Sequence, residues 1–181
     1  MAFNVSEFRA NMIGDGARPN LFQVELTFPT IAQNGVAAAQ ATTFQAKSAQ
    51  LPGSTIGVAP LYYFGRELKF AGNRTFTDWT ITIIEDENFT VRNSMESWLN
   101  AINSHAGNIR NPAANELPGY TVDAFVTQFS KTGDSLKKYR FVGLFPLDVA
   151  PIDLDWGTND TIEEYAVTFA YQWWETDGVT T

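Results

Sequence analysis

The chain contains no cysteine. That absence removes disulfides, thiolate nucleophiles and zinc–thiolate sites together, and it suits a reducing compartment. Histidine is nearly absent as well. His105 stands alone, so no histidine-pair metal site can form and any Ser-His-acid triad would have to use it. It sits beside Asn103, Ser104 and Asn108 near the end of an expected helix, where partial positive charge is favoured on structural grounds alone. No apolar run reaches the roughly 18 residues of a membrane-spanning helix, so no membrane anchor is expected. The opening MAFNVSEFRANMIGDG lacks both a basic leader and an apolar segment, so no secretory signal is expected either. The N-x-S/T matches at Asn4, Asn73, Asn88 and Asn159 are accordingly read as chance. There is no G-x-S-x-G, no phosphate-binding GKS or GKT and no spaced glycine fingerprint.

Positive charge is missing from the last part of the chain. After Arg140 there is no Lys or Arg, whereas acids recur from Asp148 to Asp177, and the formal net charge is -8. A surface with that balance repels DNA phosphate and keeps the chain soluble. The acidic stretch Asp153-Leu-Asp155-Trp-Gly157-Thr-Asn159-Asp160 superficially resembles a calcium loop. Its glycine falls one position early and no bidentate Glu is in register, so a backbone turn is the expectation, with no metal. Twenty acids offer no specific pair for general acid–base work. No catalytic residue and no cofactor are expected.

What is present describes one folded domain spanning 1–181. A chain of 181 residues, 44% hydrophobic and 14% aromatic, can bury a sizeable core. Alternation dominates, so the fold is expected to be mainly β. In residues 21–28, Phe22, Val24, Leu26 and Phe28 share one face; strands are also expected at 43–49, 61–70 and 78–84. Residues 120–129 and 137–144 read as a hairpin closed by KTGD. In 164–174, Tyr165, Val167, Phe169, Tyr171 and Trp173 oppose small or polar residues. Trp79, Phe169 and Tyr171 are therefore candidate core residues, and Trp173 shares their bulky face. One helix, about 89–103, carries Val91, Met95, Trp98, Leu99 and Ile102 at helical spacing, with Asn88 as N-cap and Gly107 beyond its end. Residues 32–41, AQNGVAAAQA, read as a mobile loop, and 51–60 hold two prolines and two glycines that interrupt any strand. The expected architecture is a β-sandwich or partly closed barrel with one flanking helix.

Residues 17–25 (ARPNLFQVE), 71–87 (AGNRTFTDWTITIIEDE) and 144–175 (LFPLDVAPIDLDWGTNDTIEEYAVTFAYQWWE) carry a resemblance. Their order and wording resemble the tail tube protein of contractile-tailed, myovirus-type bacteriophages, related in fold to the tube proteins of type VI secretion. AQNGVAAAQA is longer than that pattern allows, so nothing carries over to it. The resemblance implies a non-enzymatic virion protein, assembled in the host cytoplasm as a homo-hexamer stacked into a tube. It implies as partners the tail sheath protein, baseplate, tape measure protein and tail terminator, with DNA passing through unbound. Residues 1–19 would be an N-terminal arm and 51–70 a contact between rings. Within 51–70, Leu61, Tyr62, Tyr63 and Phe64 stand in a row, of which alternation can bury only half. With Arg74 and Asp78, which bracket the entry to the 78–84 strand, they are the candidate inter-subunit contacts. The alternative is a carbohydrate-binding β-sandwich in which Trp79, Trp156, Trp173 and Trp174 stack on sugars.

Overall fold

A computed structural model of the chain describes residues 5–176. The chain runs through α1 (Val5–Asn11), a 3-10 turn (Ile13–Asp15), β1 (Phe22–Leu26), α2 (Gly35–Gln45) and β2 (Ala46–Ala49). It continues through β3 (Ser54–Tyr63), β4 (Arg66–Phe76), β5 (Trp79–Ile84) and α3 (Thr90–Ile102). A second 3-10 turn (Pro112–Ala114), α4 (Leu117–Tyr120), β6 (Val122–Phe129), β7 (Ser135–Val149), β8 (Glu164–Ala170) and β9 (Trp173–Thr176) complete it. The fold is mainly β. Seven strands form one antiparallel sheet ordered β1-β6-β7-β8-β5-β2, with β9 also on β7, while β3 and β4 form a separate ribbon.

The sheet is bent because β7 belongs to both of its halves. Tyr139–Val142 lie between β6 and β9, whereas Phe145–Val149 pair with β8. Between these halves Gly143 adopts φ 65, and a Cβ there would stand 2.9 Å from Gln172 Cγ. Only glycine reaches that conformation cheaply, and its missing side chain admits Gln172. The end strands β1 and β2 approach within 8 Å in Cα without pairing, so the sheet is not closed into a barrel.

The concave side of the sheet is filled by alternate residues of each strand, as a period of two requires. Val24 and Leu26, Ala124 and Val126, Phe141 and Leu144 come from one half; Trp79, Ile81, Ile83, Tyr165, Val167 and Phe169 come from the other. α3 supplies Val91, Met95 and Trp98 as the lid. Trp79 stacks on Phe141 at 4.4 Å and meets Phe169 at 5.7 Å, and Phe169 in turn meets Trp98 at 6.5 Å. Both buried indoles keep their N–H groups bonded, Trp79 donating to Gln50 O and Trp98 to Tyr120 O, each at 2.8 Å. Tyr171 is half-buried, its ring edge-on to Phe141 at 5.0 Å.

Several expectations need correction. Residues 35–45 are a helix, not a loop: three consecutive alanines favour helix, and α2 lies on α3 and β1. Its small side chains give no amphipathic stripe to read. Its end consumes residues 43–45, so the strand expected at 43–49 shrinks to Ala46–Ala49. The helix expected alone is thus one of several, and α3 starts after Phe89 rather than on an Asn88 cap. α3 ends at Ile102, where the Asn103 N–H bonds Leu99 O, well before Gly107. The 164–174 strand breaks at Tyr171-Gln172, which resets the alternation and leaves Trp173 45% exposed.

Candidate assembly surfaces

The β3–β4 ribbon stands apart from the core. Every residue from Ser54 to Thr75 is exposed, including Ile56, Val58, Leu61, Leu68 and Phe70. Its strands are longer than any except β7, at 10 and 11 residues, or about 31–34 Å at 3.4 Å per residue. The turn at its tip has Phe64 and Gly65 both left-handed (φ 47 and 77), the conformation that matches the twist of a two-residue hairpin. Part-way along, the register slips between Ile56 and Val58, and a Cβ on Gly72 would stand 3.0 Å from the Gly57 backbone. The glycines of this segment thus permit a bulge instead of ending a strand. Pro60 pairs with Lys69 inside β3; in a ribbon of two strands the missing N–H can face the open edge. Residues 51–60 therefore do not interrupt the strand as their composition suggests.

The sequence-derived contact residues divide between the ribbon and its root. Leu61, Tyr62 and Tyr63 lie on β3 and Phe64 at the tip; none is buried, and Phe64 is 92% exposed. Alternation was expected to bury half of them, but a two-stranded ribbon with nothing packed on it has no inner face. Arg74 lies within β4 opposite Ile56, rather than at a turn, and forms no side-chain hydrogen bond or ion pair among the described residues. Asp78 is exposed at the root, in a shallow cleft with Gln50, Pro52, Thr77 and Tyr171. Burial, and secondarily the Asp78 charge, push the Tyr171 phenol above its ordinary pKa. Ile56, Val58, Leu68 and Phe70 were missed by sequence reading, although their spacing along both strands was visible.

The opposite end of β5 is acidic. Ile84 pairs with Glu164, and the Glu85 N–H bonds Glu163 O at 2.9 Å. Glu85 is buried, and its carboxyl is held above the usual carboxylate range chiefly by that burial, with Asp86 repelling it further. The Tyr165 hydroxyl lies beside it without meeting hydrogen-bond geometry, and burial and the Glu85 charge raise that phenol in turn. Arg92 spans the group: it donates to Glu96 at 2.9 Å and to Ala150 O at 3.2 Å, and lies 5.1 Å from the Tyr165 ring centroid. From Ala150 the chain loops out to Glu163. Leu154 and Ile162 are exposed there, and Trp156 is fully exposed (100%). Asp155 accepts the Gly157 N–H at 2.9 Å on its carboxylate and the Thr158 N–H at 3.1 Å on its carbonyl. Its acids shape the backbone, and no grouping of three metal-ligating side chains occurs among the described residues.

Two further faces flank the core. Outside β5 and β8 the side chains are small at Thr80, Thr82, Ala166, Thr168 and Ala170 and larger at one end, Ile84 and Glu164, with Thr80 and Thr168 sharing a hydrogen bond at 3.2 Å. Outside β1, β6 and β7 charges are paired: Lys138 with Glu25 at 3.1 Å, and Arg140 with Asp123 at 2.6 Å and Glu175 at 3.5 Å. Trp79 is unavailable for stacking on a sugar, since it is 2% exposed.

This fold is shared with solved chains from an anti-feeding prophage and from an extracellular contractile injection system. One such chain, in the baseplate of the anti-feeding prophage, has a TM-score of 0.63 at 14% identity, covering 92% of this chain and 98% of that one. Another, in the sheath–tube complex of an extracellular contractile injection system, has a TM-score of 0.59 at 13% identity, covering 97% and 98%. Residues 17–177 match the phage tail tube protein family, and the chain belongs to it as a structural protein of the phage tail. Tail tube protein gp19 of Enterobacteria phage T4 is 34% identical over 168 residues, covering 92% of this chain and 96% of that protein. The tail tube protein of Serratia phage KSP90 is 27% identical over 169 residues, covering 92% and 93%.

Proposed function

We propose that this tail tube subunit closes into homo-hexameric rings, and that the rings stack into a conduit for the genome inside a contractile sheath. The tube would start on a baseplate, end at a terminator, and hold the tape measure protein before DNA passes. The observation that carries the reading is the bare ribbon. Two strands without a packed face are marginal in water, so this one needs a partner surface. Its apolar side chains, Leu61, Tyr62, Tyr63 and Phe64 among them, form an exposed patch of the kind that marks a protein contact. The 51–70 segment is then the contact between rings, with residues 1–19 an arm, Arg74 a polar contact to a neighbour and Asp78 a contact at the ribbon's root.

Ring closure has its own support. The unpaired edges of β1 and β2 invite pairing with the next subunit, and a closed ring of joined sheets removes such edges. The small-residue face of β5 and β8 suits a lumen: it offers DNA no cation, and Lys47 on the neighbouring strand β2 is paired with Glu164. The chain performs no catalysis in this reading. Electron microscopy of the purified protein and of intact virion tails tests it. Six-fold rings or stacked tubes are expected; monomers alone, with another protein lining the virion tail, would overturn it.

A further inference from the structure

Strand β5 buries alternate residues, Trp79, Ile81 and Ile83, and the next place in that apolar row holds the carboxyl of Glu85. Only 7% of Glu85 is exposed. Its Oε1 accepts the Asp86 N–H at 3.3 Å, and its Oε2 has no partner. Tyr165 faces Ile83 in register, which makes it the diagonal neighbour of Glu85 on the same face of the sheet. The Tyr165 hydroxyl is also buried and unpaired. Native folds leave few buried polar atoms without a partner, and here two belong to adjacent side chains.

The elements packed around Glu85 supply little to balance a charge there. From α3, Arg92 is committed to Glu96 and to Ala150 O, with its Cζ 5.1 Å from the Tyr165 ring centroid. From α2 comes only the uncharged Gln45, whose Nε2 donates to Asp86 Oδ2 at 2.8 Å and whose Oε1 is buried without a partner. Lys47 on β2 is paired with Glu164 of β8. Asp86 follows directly in the chain and repels a second negative charge. Among the described residues Glu85 therefore has no ion pair. The Tyr165 hydroxyl can accept from a protonated carboxyl or donate to an ionised one, so it serves both forms. Burial decides between them, and it favours the neutral form.

We infer that Glu85 is a proton-operated latch: neutral, it closes the junction of β5, β8 and α3; ionised, it is drawn to water and loosens that junction. Three ties cross the junction and loosen together. They are Glu85 N–H to Glu163 O at 2.9 Å, Arg92 to Ala150 O at 3.2 Å, and Ala150 N–H to Ala166 O at 2.9 Å. The same ties anchor both ends of the 150–163 loop, so the latch governs how firmly Leu154, Trp156 and Ile162 are presented. Burial, above all, holds the folded-state pKa of the carboxyl above its ordinary value. The latch is accordingly complete below the ordinary value and is released as pH rises through the raised one. It acts within one subunit and does not depend on the stacked-ring reading.

Hydrogen exchange of the unassembled full chain, read at single amides by NMR over a pH series, tests the latch. In wild type the protection of the Glu85 and Ala150 amides should fall by up to about tenfold per pH unit between the ordinary and the raised pKa. The fall should level off at the pH where the Glu85 carboxyl carbon itself titrates. Towards neutral pH both amides should be less protected than Val126, which lies between β1 and β7. Their exchange there should also respond little to low urea, because a local opening exposes little surface. Glu85→Gln keeps the shape and cannot ionise, so both amides should keep their acid-side protection at every pH. Flat protection in wild type, or a pH dependence that Glu85→Gln leaves in place, would overturn the latch. So would protection and urea response equal to those of Val126, since the charge would then act only through global unfolding. Should Glu85→Gln fail to fold, a wild-type fall that levels off away from the carboxyl's own titration is enough to overturn it.

Discussion

Two phenylalanines in this chain make a controlled comparison. Phe169 is 0% exposed and Phe64 is 92% exposed, so the same truncation to alanine is made once in the core and once on the ribbon tip. Phe169 lies between the sheet and its lid, 5.7 Å from the Trp79 ring centroid and 6.5 Å from that of Trp98. Removing its ring takes away a contact that neither indole can replace, since each is fixed by its own N–H hydrogen bond. The lost transfer energy and the unfilled cavity together should destabilise the monomer by about 3–5 kcal/mol. For a chain of this size that lowers the melting temperature by about 6–20 °C, at roughly 2–4 °C per kcal/mol. Phe64→Ala exposes nothing new in the monomer and should change its stability by no more than about 0.5 kcal/mol. The assay is urea unfolding of unassembled protein followed by tryptophan fluorescence, with tube formation scored separately. Phe169→Ala should shift the melt, and Phe64→Ala should shift only assembly. A Phe169→Ala loss below about 1 kcal/mol, or a Phe64→Ala loss as large as that of Phe169→Ala, would refute the assignment of core and contact faces.

Other outcomes follow from particular side chains. Glu85 has its folded-state pKa raised by burial, so its favourable contribution is complete below the unfolded pKa and is lost as pH rises through the folded one. Glu85→Gln should therefore match wild type in acid and become the more stable chain towards neutral pH; a constant difference across pH melts would contradict this. Arg74→Ala should leave the monomer's melt within about 0.5 kcal/mol of wild type while reducing tube yield, since Arg74 has no partner among the described residues. Equal losses of stability and assembly would count against a role between subunits. Assembled tubes should retain no DNA on a filter at about 0.15 M salt, where only genuine phosphate contacts survive screening. Tight, salt-sensitive retention would place cations in the lumen.

Legibility in the sequence followed the packing. Strands with one buried face, such as β5 and β8, advertise it through alternation, and Trp79, Ile81 and Ile83 could be read directly against Thr80 and Thr82. α3 was equally plain because its apolar residues recur at helical spacing. α2 was not: it buries only Ala38 and Thr42, and an alanine-rich segment of that kind looks the same to a periodicity argument as a loop. The ribbon failed for the opposite reason. Both of its faces carry apolar groups and neither is buried, so alternation had no inside to report, and its glycines and Pro60 looked like breaks. The Leu154–Trp156 surface carried only weak signal, because a turn held by Asp155 follows no period at all.

The bend in β7 has a kinetic meaning. One strand supplies partners to β6 and β9 in its first part and to β8 in its second, so neither half of the sheet is complete until β7 is laid down. Its partners are its neighbours in sequence, but they must reach far back in turn: β8 joins β5, about 80–90 residues earlier by register, and β6 joins β1 about 100 residues earlier. Closing such long loops precedes any reward from the contacts they make, which slows folding relative to a chain built from neighbours. Until that step, the edges of β6 and β8 that β7 will cover stay bare while other copies are being synthesised nearby. The order of events matters for a protein made in many copies: a chain that pairs with its neighbours before β7 has settled would join them through the wrong strands.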